Sequence, residues 1–175
     1  NLPKGLMQKY KNDFSYFHLT LQQIYEEGIV TEDQIREYKK FAVIREPIDR
    51  HLSFYHFYRK WDGNRRNDPS KEEFKKFIPN GYFEKHENSR IRQSDFLKFN
   101  GEIIGEYWLY KDFERKLYDL MEELGVKVLH KLPTHKSGFR KPINEELVDG
   151  EMQDLIREYY FEDFEIYERL QNETK

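Results

Sequence analysis

The sequence contains no cysteine among its 175 residues, which excludes a disulfide framework, thiolate catalysis and a cysteine-based zinc site. It also lacks any apolar run close to the ~20 residues that a membrane-spanning helix needs, and it begins without the pattern of a secretory signal peptide. We therefore expect no membrane span in this chain, and we favour a reducing compartment, the cytoplasm, as its location.

An excess of positive charge is also missing. The chain has 30 basic and 33 acidic residues, and its formal net charge is −3. A nucleic-acid partner is not expected, because such binding draws its affinity from cationic surface that neutralises phosphates. Any anion site must be a local group of basic side chains.

Aromatic residues, in contrast, are abundant. They make up 17% of the chain, including 13 Tyr and 14 Phe, so their rings must supply much of the buried surface. A chain of this length is large enough for one hydrophobic core, and we predict a single domain over residues 1–175.

Short apolar segments that predict strands alternate with segments that predict helices. This alternation is typical of an α/β fold in which helices flank a central parallel sheet. The predicted strands cover residues 14–21, 41–44, 105–110 and 126–129; the predicted helices cover residues 21–27, 31–38, 47–60, 70–78, 111–124 and 151–170.

The segment around Arg45 carries the strongest chemical signal. Arg45 ends a short apolar run, Pro47 is suited to the first position of a helix, and Ser53 follows Arg45 at a spacing of eight. This arrangement predicts an anion site at the carboxyl end of a buried strand, where a guanidinium fork and a hydroxyl can hold a phosphate. The alternative is that Arg45 pairs with Glu46 or Asp49 and that Ser53 is merely solvated.

Residues 41–55 resemble the 3′-phosphate motif of sulfotransferases that use 3′-phosphoadenosine 5′-phosphosulfate (PAPS). In that motif a strand ends in Arg, (D/E)-P-x-x-R follows, and a Ser lies on the next helix. The resemblance is greatest to the carbohydrate branch, particularly the uronyl 2-O-sulfotransferases. It implies a P-loop-like three-layer fold in which Arg45 and Ser53 hold the 3′-phosphate.

Further segments extend the resemblance. Residues 136–141 are similar to the family's Lys-Ser-x-x-Arg-Lys loop, which implies that Lys136, Ser137, Arg140 and Lys141 contact the nucleotide, although a solvated basic loop is the alternative. Residues 106–124 resemble the family's late strand-helix unit, and residues 159–167 resemble its closing helix, Y-x-x-D-(F/Y)-x-x-(F/Y).

Two residues are candidates for the acceptor side. His18 matches the active-site His of the 2-O-sulfotransferases and would take the proton of the acceptor hydroxyl; alternatively it bonds a backbone carbonyl at a strand end. Gln93 lies in a segment similar to the Gln-Ser segment beside the acceptor, where it could bond a sugar hydroxyl or simply cap a helix. No metal is expected.

The start of the chain departs from the family pattern. The family opens with a strand and a phosphosulfate loop of the type P-K-x-G-(G/T)-T-(S/T), whereas Leu2–Gly5 is followed by Leu-Met-Gln. We therefore expect this N-terminal strand and loop to be missing from the chain.

These patterns together predict a sulfotransferase that moves a sulfuryl group from PAPS to a carbohydrate-like hydroxyl. One alternative is a non-catalytic remnant that binds adenosine 3′,5′-bisphosphate or a glycan. Another is a different nucleotide-using enzyme of P-loop-like fold, such as a small kinase, although the sequence lacks G-x-x-x-x-G-K-(S/T).

Overall fold

A computed structural model of the protein describes residues 18–61, 70–77, 91–127, 132 and 147–173. The chain order is α1 (Leu21–Glu26), α2 (Glu32–Glu37), β1 (Phe41–Ile44), α3 (Pro47–Trp61), α4 (Lys71–Phe77), a 3₁₀ helix (Gln93–Leu97), β2 (Lys98–Phe99), β3 (Glu102–Ile103), β4 (Glu106–Leu109), a second 3₁₀ helix (Tyr110–Asp112), α5 (Phe113–Glu123), α6 (Gly150–Tyr159) and α7 (Phe161–Glu173).

Two parallel strands organise the site. β1 pairs with β4 in parallel, with Phe41 opposite Glu106 and Ile44 opposite Leu109. β2 and β3 form an antiparallel hairpin whose turn residues, Asn100 and Gly101, both have positive φ, as a type I′ hairpin turn requires. The parallel strands with helices around them confirm the predicted α/β class.

Capping boxes start the first two helices. The Thr31 hydroxyl accepts a hydrogen bond from Gln34 N at 3.2 Å and the Gln34 side chain accepts one from Thr31 N at 2.9 Å, which confirms the helix predicted there. Thr20 and Gln23 make the same reciprocal pair. The prediction of a strand over 14–21 is therefore wrong at its described end, residues 18–21, because Thr20 caps a helix that begins at Leu21.

Among the described residues, the hydrophobic core has two parts that meet at α7. The first joins α3, α4, α6 and α7, and the second joins the sheet, the first 3₁₀ helix and α7. Phe164 lies in the first part and Ile166 in the second. The first comprises Leu52, Tyr55, Phe74, Leu147, Met152, Ile156, Tyr160 and Phe164; the second comprises Ile44, Leu97, Tyr107, Leu109 and Ile166.

The C-terminal region differs from the sequence prediction in its details. The helix predicted over 151–170 is two helices, α6 and α7, separated at Tyr160, whose φ of −110° and ψ of 30° leave the helical region. Tyr160 and Phe164 are buried, but Tyr159 points outward and is 36% exposed. The break allows α6 and α7 to present their apolar faces in different directions.

α5 packs loosely against the described part of the chain. None of its residues is fully buried there, and Leu124 is 64% exposed because it caps the helix beyond its last turn. Val126 and Lys127 are not in a strand, and the rest of the strand predicted over 126–129 lies outside the described residues. No described helix combines the length and apolar character that crossing a membrane requires.

Candidate functional site

The carboxyl ends of β1 and β4 form the edge at which the candidate site lies. Because Ile44 pairs with Leu109, the next residues, Arg45 and Tyr110, leave the sheet side by side. The Arg45 guanidinium carbon lies 5.5 Å from the centroid of the Tyr110 ring, and Tyr110 is 62% exposed. Open α/β sheets bind their ligands at this edge.

Arg45 is held beside the start of α3. Its Nε donates a hydrogen bond to the Asp49 carboxylate, and both side chains are only partly buried. Asp49 N in turn donates to the Glu46 carboxylate at 2.6 Å, which satisfies one of the open donors of the helix N-terminus. The pairing of Arg45 with Asp49, which the sequence left open as an alternative, is thus present, and an incoming anion would compete with Asp49.

Ser53 lies on the same face of α3 as Asp49. The two residues are four apart, so their side chains are neighbours along the helix surface. Ser53 is half-buried. The helix therefore carries the Ser53 hydroxyl one turn beyond the carboxylate that contacts Arg45.

The Gln93 side chain is paired with the backbone of Arg45. Arg45 N donates to Gln93 Oε1 at 2.8 Å, and Gln93 Nε2 donates back to the Arg45 carbonyl at 2.9 Å. Gln93 is 4% exposed. This burial leaves almost none of its amide accessible to a sugar, so the structure favours a role in holding Arg45 over the predicted contact with an acceptor.

Asp163, in the first turn of α7, lies behind Gln93. Its carboxylate is fully buried and accepts from Gln93 N at 2.9 Å and from Ser94 N at 2.7 Å. These two backbone donors open the 3₁₀ helix, so the carboxylate supplies the hydrogen bonds that such a helix start needs. The Tyr107 hydroxyl donates to the Ser94 carbonyl at 2.7 Å, and burial raises the pKa of Tyr107.

Arg50, the second Arg of the motif, points away from Arg45. Its guanidinium donates to the Ile91 carbonyl at 2.9 Å and lies 4.7 Å from the centroid of the Phe54 ring. Burial lowers the pKa of Arg50, although an arginine stays protonated at any ordinary pH. Arg50 therefore holds the segment that leads into Gln93.

The basic residues near the 3₁₀ helix are paired with acids. Lys98 Nζ lies 2.5 Å from Glu162 and 3.1 Å from Asp95, and Arg92 lies 3.3 Å from Asp95. The hydrogen bond from Lys98 lowers the pKa of Glu162 despite the opposing effect of partial burial. The group contains two cations and two carboxylates, so its charges balance.

Of the remaining predicted site residues, one, His18, lies within the part of the chain that the structure describes. His18 is exposed and precedes α1, which packs against β2 through Tyr25 and Phe99, whose ring centroids are 5.1 Å apart. Leu2–Gly5 lies outside the described residues. So do the loop residues predicted to contact the nucleotide, which are Lys136, Ser137, Arg140 and Lys141.

Comparison with known proteins adds a family to this geometry. A model of the sulfotransferase family matches residues 8–168, which include the Arg45 edge, Gln93 and Asp163. The chain belongs to the sulfotransferase family. Membership supports sulfuryl transfer to a hydroxyl-bearing acceptor as its chemistry. Neither the curated proteins nor the solved structures that were searched contain a match.

Sequence reasoning missed two residues of this candidate site. Tyr110 directly follows a strand, as Arg45 does, so the argument that identified Arg45 could have identified it as well. Asp163 is the Asp of the Y-x-x-D closing-helix pattern, but its contact with Gln93 spans 70 positions and has no local signal. A third feature, the pairing of Gln93 with the Arg45 backbone, is equally long-range.

Proposed function

We propose that this chain binds PAPS at the Arg45 edge and transfers its sulfuryl group to a hydroxyl of a carbohydrate. The observation that carries the proposal is that Arg45 and Tyr110 lie together where β1 and β4 end, and that Arg45 contacts Asp49, one helical turn before Ser53 on α3. Membership of the sulfotransferase family supports the proposal that the ligand is a sulfuryl donor.

Each residue at the edge has a role that its chemistry suits. Arg45 directs guanidinium donors to the 3′-phosphate, and Ser53 adds a neutral donor. The exposed ring of Tyr110 offers a surface on which the adenine can stack. Lys136, Ser137, Arg140 and Lys141 close over the nucleotide, as the resemblance of their loop implies.

The transfer step needs a base on the acceptor side. The acceptor oxygen forms a bond to sulfur as the bond from sulfur to the bridging phosphate oxygen breaks, and adenosine 3′,5′-bisphosphate leaves. The hydroxyl proton passes to the imidazole of His18, the residue that resembles the active-site His of the 2-O-sulfotransferases. The similarity to uronyl 2-O-sulfotransferases favours a glycan that contains hexuronic acid.

A second candidate function is binding without turnover. It is favoured by Leu2–Gly5, which does not continue into the Gly-Thr-Ser pattern of a phosphosulfate loop. Such a protein would hold adenosine 3′,5′-bisphosphate through Arg45 and Ser53 but would not activate the sulfuryl group.

Calorimetry followed by a transfer assay tests both functions. Adenosine 3′,5′-bisphosphate is titrated into the folded protein, and radiolabelled PAPS is then offered with hexuronic-acid glycans. Binding with sulfate transfer supports the enzyme, and binding without transfer to any glycan supports the second candidate. If the folded protein does not bind the nucleotide, both proposals fail.

A further inference from the structure

We infer that Gln93 is a positioning residue for the phosphate anchor, and that Asp163 holds it in place. The inference rests on the proposed role of Arg45 in binding the 3′-phosphate. Under this inference, the start of the 3₁₀ helix and α7 both affect the affinity for the cofactor. Neither element supplies a predicted phosphate ligand.

The Gln93 side chain takes the place of a neighbouring strand. Arg45 follows the last residue of β1. The strand that pairs with β1 is β4, and it ends at Leu109, where the chain turns into a 3₁₀ helix. The Arg45 N–H and carbonyl would need other partners, because buried backbone groups are rarely left unpaired. Gln93 supplies both, accepting at 2.8 Å and donating at 2.9 Å.

The chemistry of the surroundings permits only one orientation of this amide. Gln93 Nε2 faces two acceptors, the Arg45 carbonyl at 2.9 Å and Asp163 Oδ2 at 3.4 Å. The opposite orientation would direct Oε1 at both acceptors and the NH₂ group at the Arg45 N–H, which is a donor. Asp163 therefore selects the orientation that matches Arg45, and it also bonds the backbone N–H of Gln93.

Fixing the Arg45 backbone has a consequence for binding. An arginine side chain loses several rotatable degrees of freedom when it grips an anion, and a backbone that also had to become ordered would add to that cost. Because Gln93 already holds both polar groups of the Arg45 backbone, only the side chain must reorganise when a phosphate replaces Asp49. Weakening this support should reduce affinity without removing any ligand of the phosphate.

The substitution Gln93→Glu tests this with a signature in the pH profile. An ionised carboxylate can still accept from the Arg45 N–H, but it cannot donate to the Arg45 carbonyl and it faces the negative charge of Asp163. A protonated carboxyl restores one donor and one acceptor in nearly the same shape. The quantity compared is the ratio of the variant's Kd for adenosine 3′,5′-bisphosphate to the wild-type Kd at the same pH. We expect this ratio to be roughly ten at pH 7.5 and to approach one at pH 5.5.

Expressing affinity as this ratio removes the titration of the ligand's own phosphates. Gln153→Glu is the matched control, because Gln153 is exposed on α6 and the substitution adds the same charge. Its ratio should stay near one at every pH. Circular dichroism and thermal unfolding at each pH establish that the proteins compared are folded, so the ratio reports on the site.

The outcomes separate the inference from the function on which it rests. A ratio near one for Gln93→Glu at pH 7.5, in a chain whose wild type binds the nucleotide, overturns the inference alone. A wild type that binds no nucleotide overturns the proposed function and the inference with it. If Gln93→Glu does not fold at pH 7.5, Gln93→Asn replaces it, because this variant keeps the amide but shortens the side chain by one methylene. We expect Gln93→Asn to bind adenosine 3′,5′-bisphosphate several-fold more weakly than wild type. Wild-type affinity in Gln93→Asn would equally refute the positioning role of Gln93.

Discussion

The Arg45 guanidinium donates to the carboxylate of Asp49, one helical turn before Ser53. The residue predicted to anchor a phosphate is therefore already paired with an acid in the ligand-free chain. Because both side chains are partly exposed, solvent screens their attraction, and a phosphate carrying nearly two charges can replace a single carboxylate. The pairing with Asp49 keeps Arg45 beside the start of α3, and it lowers the affinity for a phosphate only modestly.

Removing the competing charge at position 49 should strengthen nucleotide binding. Asp49→Asn keeps the shape and a hydrogen-bonding oxygen but removes a negative charge from the neighbourhood of the phosphate. We expect the Kd for adenosine 3′,5′-bisphosphate to fall roughly threefold to tenfold at low ionic strength, with a smaller change in high salt. Titration calorimetry at two salt concentrations measures this.

The control for that variant is Asp154→Asn, which removes the same charge from an exposed position on α6. Weaker binding by Asp49→Asn than by wild type would mean that the carboxylate orients Arg45 more than it competes with the phosphate.

Truncating Arg45 should abolish binding and leave the fold intact. Its backbone pairing with Gln93 does not involve the guanidinium, so Arg45→Ala keeps those hydrogen bonds. We expect affinity for adenosine 3′,5′-bisphosphate to fall at least a hundredfold, because charge-assisted bonds to phosphate are strong. Arg115→Ala, an exposed arginine on α5, is the matched control. Unchanged affinity in Arg45→Ala, measured by calorimetry, would remove Arg45 from the site.

The buried His51 should make stability depend on pH. Burial and the nearby positive charge of Arg50 lower the pKa of His51 to about 3, whereas the unfolded chain takes up that proton near pH 6.5. Between these values the unfolded state binds the extra proton, so the free energy of unfolding falls as pH falls. We expect His51 to account for a loss of about 2 kcal/mol between pH 7.5 and pH 5.

Urea unfolding of wild type and His51→Phe at the two pH values measures this contribution. The variant should lose much less stability on acidification, because it has no imidazole to protonate. His18→Gln removes an exposed histidine and should keep the wild-type dependence. An identical pH response in His51→Phe and wild type would contradict the assignment.

Gly105 is required where β4 begins. Its φ is +124°, and a Cβ there would lie 2.7 Å from the Lys40 carbonyl oxygen, the same oxygen that accepts from Glu106 N at 3.0 Å. Gly105→Ala should destabilise the protein by about 2 kcal/mol or more, through backbone strain and loss of this strand contact. Thermal unfolding checks it against Gly150→Ala, whose Cβ meets nothing within 4 Å and should change stability little.

Local signals predicted much of the structure around the site. Three of these signals act over a few residues: the apolar run before Arg45, Pro47 at the first turn of α3, and the capping box at Thr31. The strand and the two helices that they indicate are present where predicted. The errors arose where local signals compete. Residues 18–21 alternate as a strand does, but the reciprocal hydrogen bonds of Thr20 and Gln23 start a helix there.

The sequence by itself determined the α/β class, the position of Arg45 at a strand end and its spacing from Ser53, because strands, caps and helix starts depend on neighbouring residues. Only the tertiary structure decided that Tyr110 lies beside Arg45, that Asp49 pairs with Arg45, that Gln93 holds the Arg45 backbone, and that Asp163 holds Gln93. The last two contacts join segments 48 and 70 positions apart. Such partners are chosen by how the sheet, the 3₁₀ helix and α7 pack together, and that packing has no signature within any one segment.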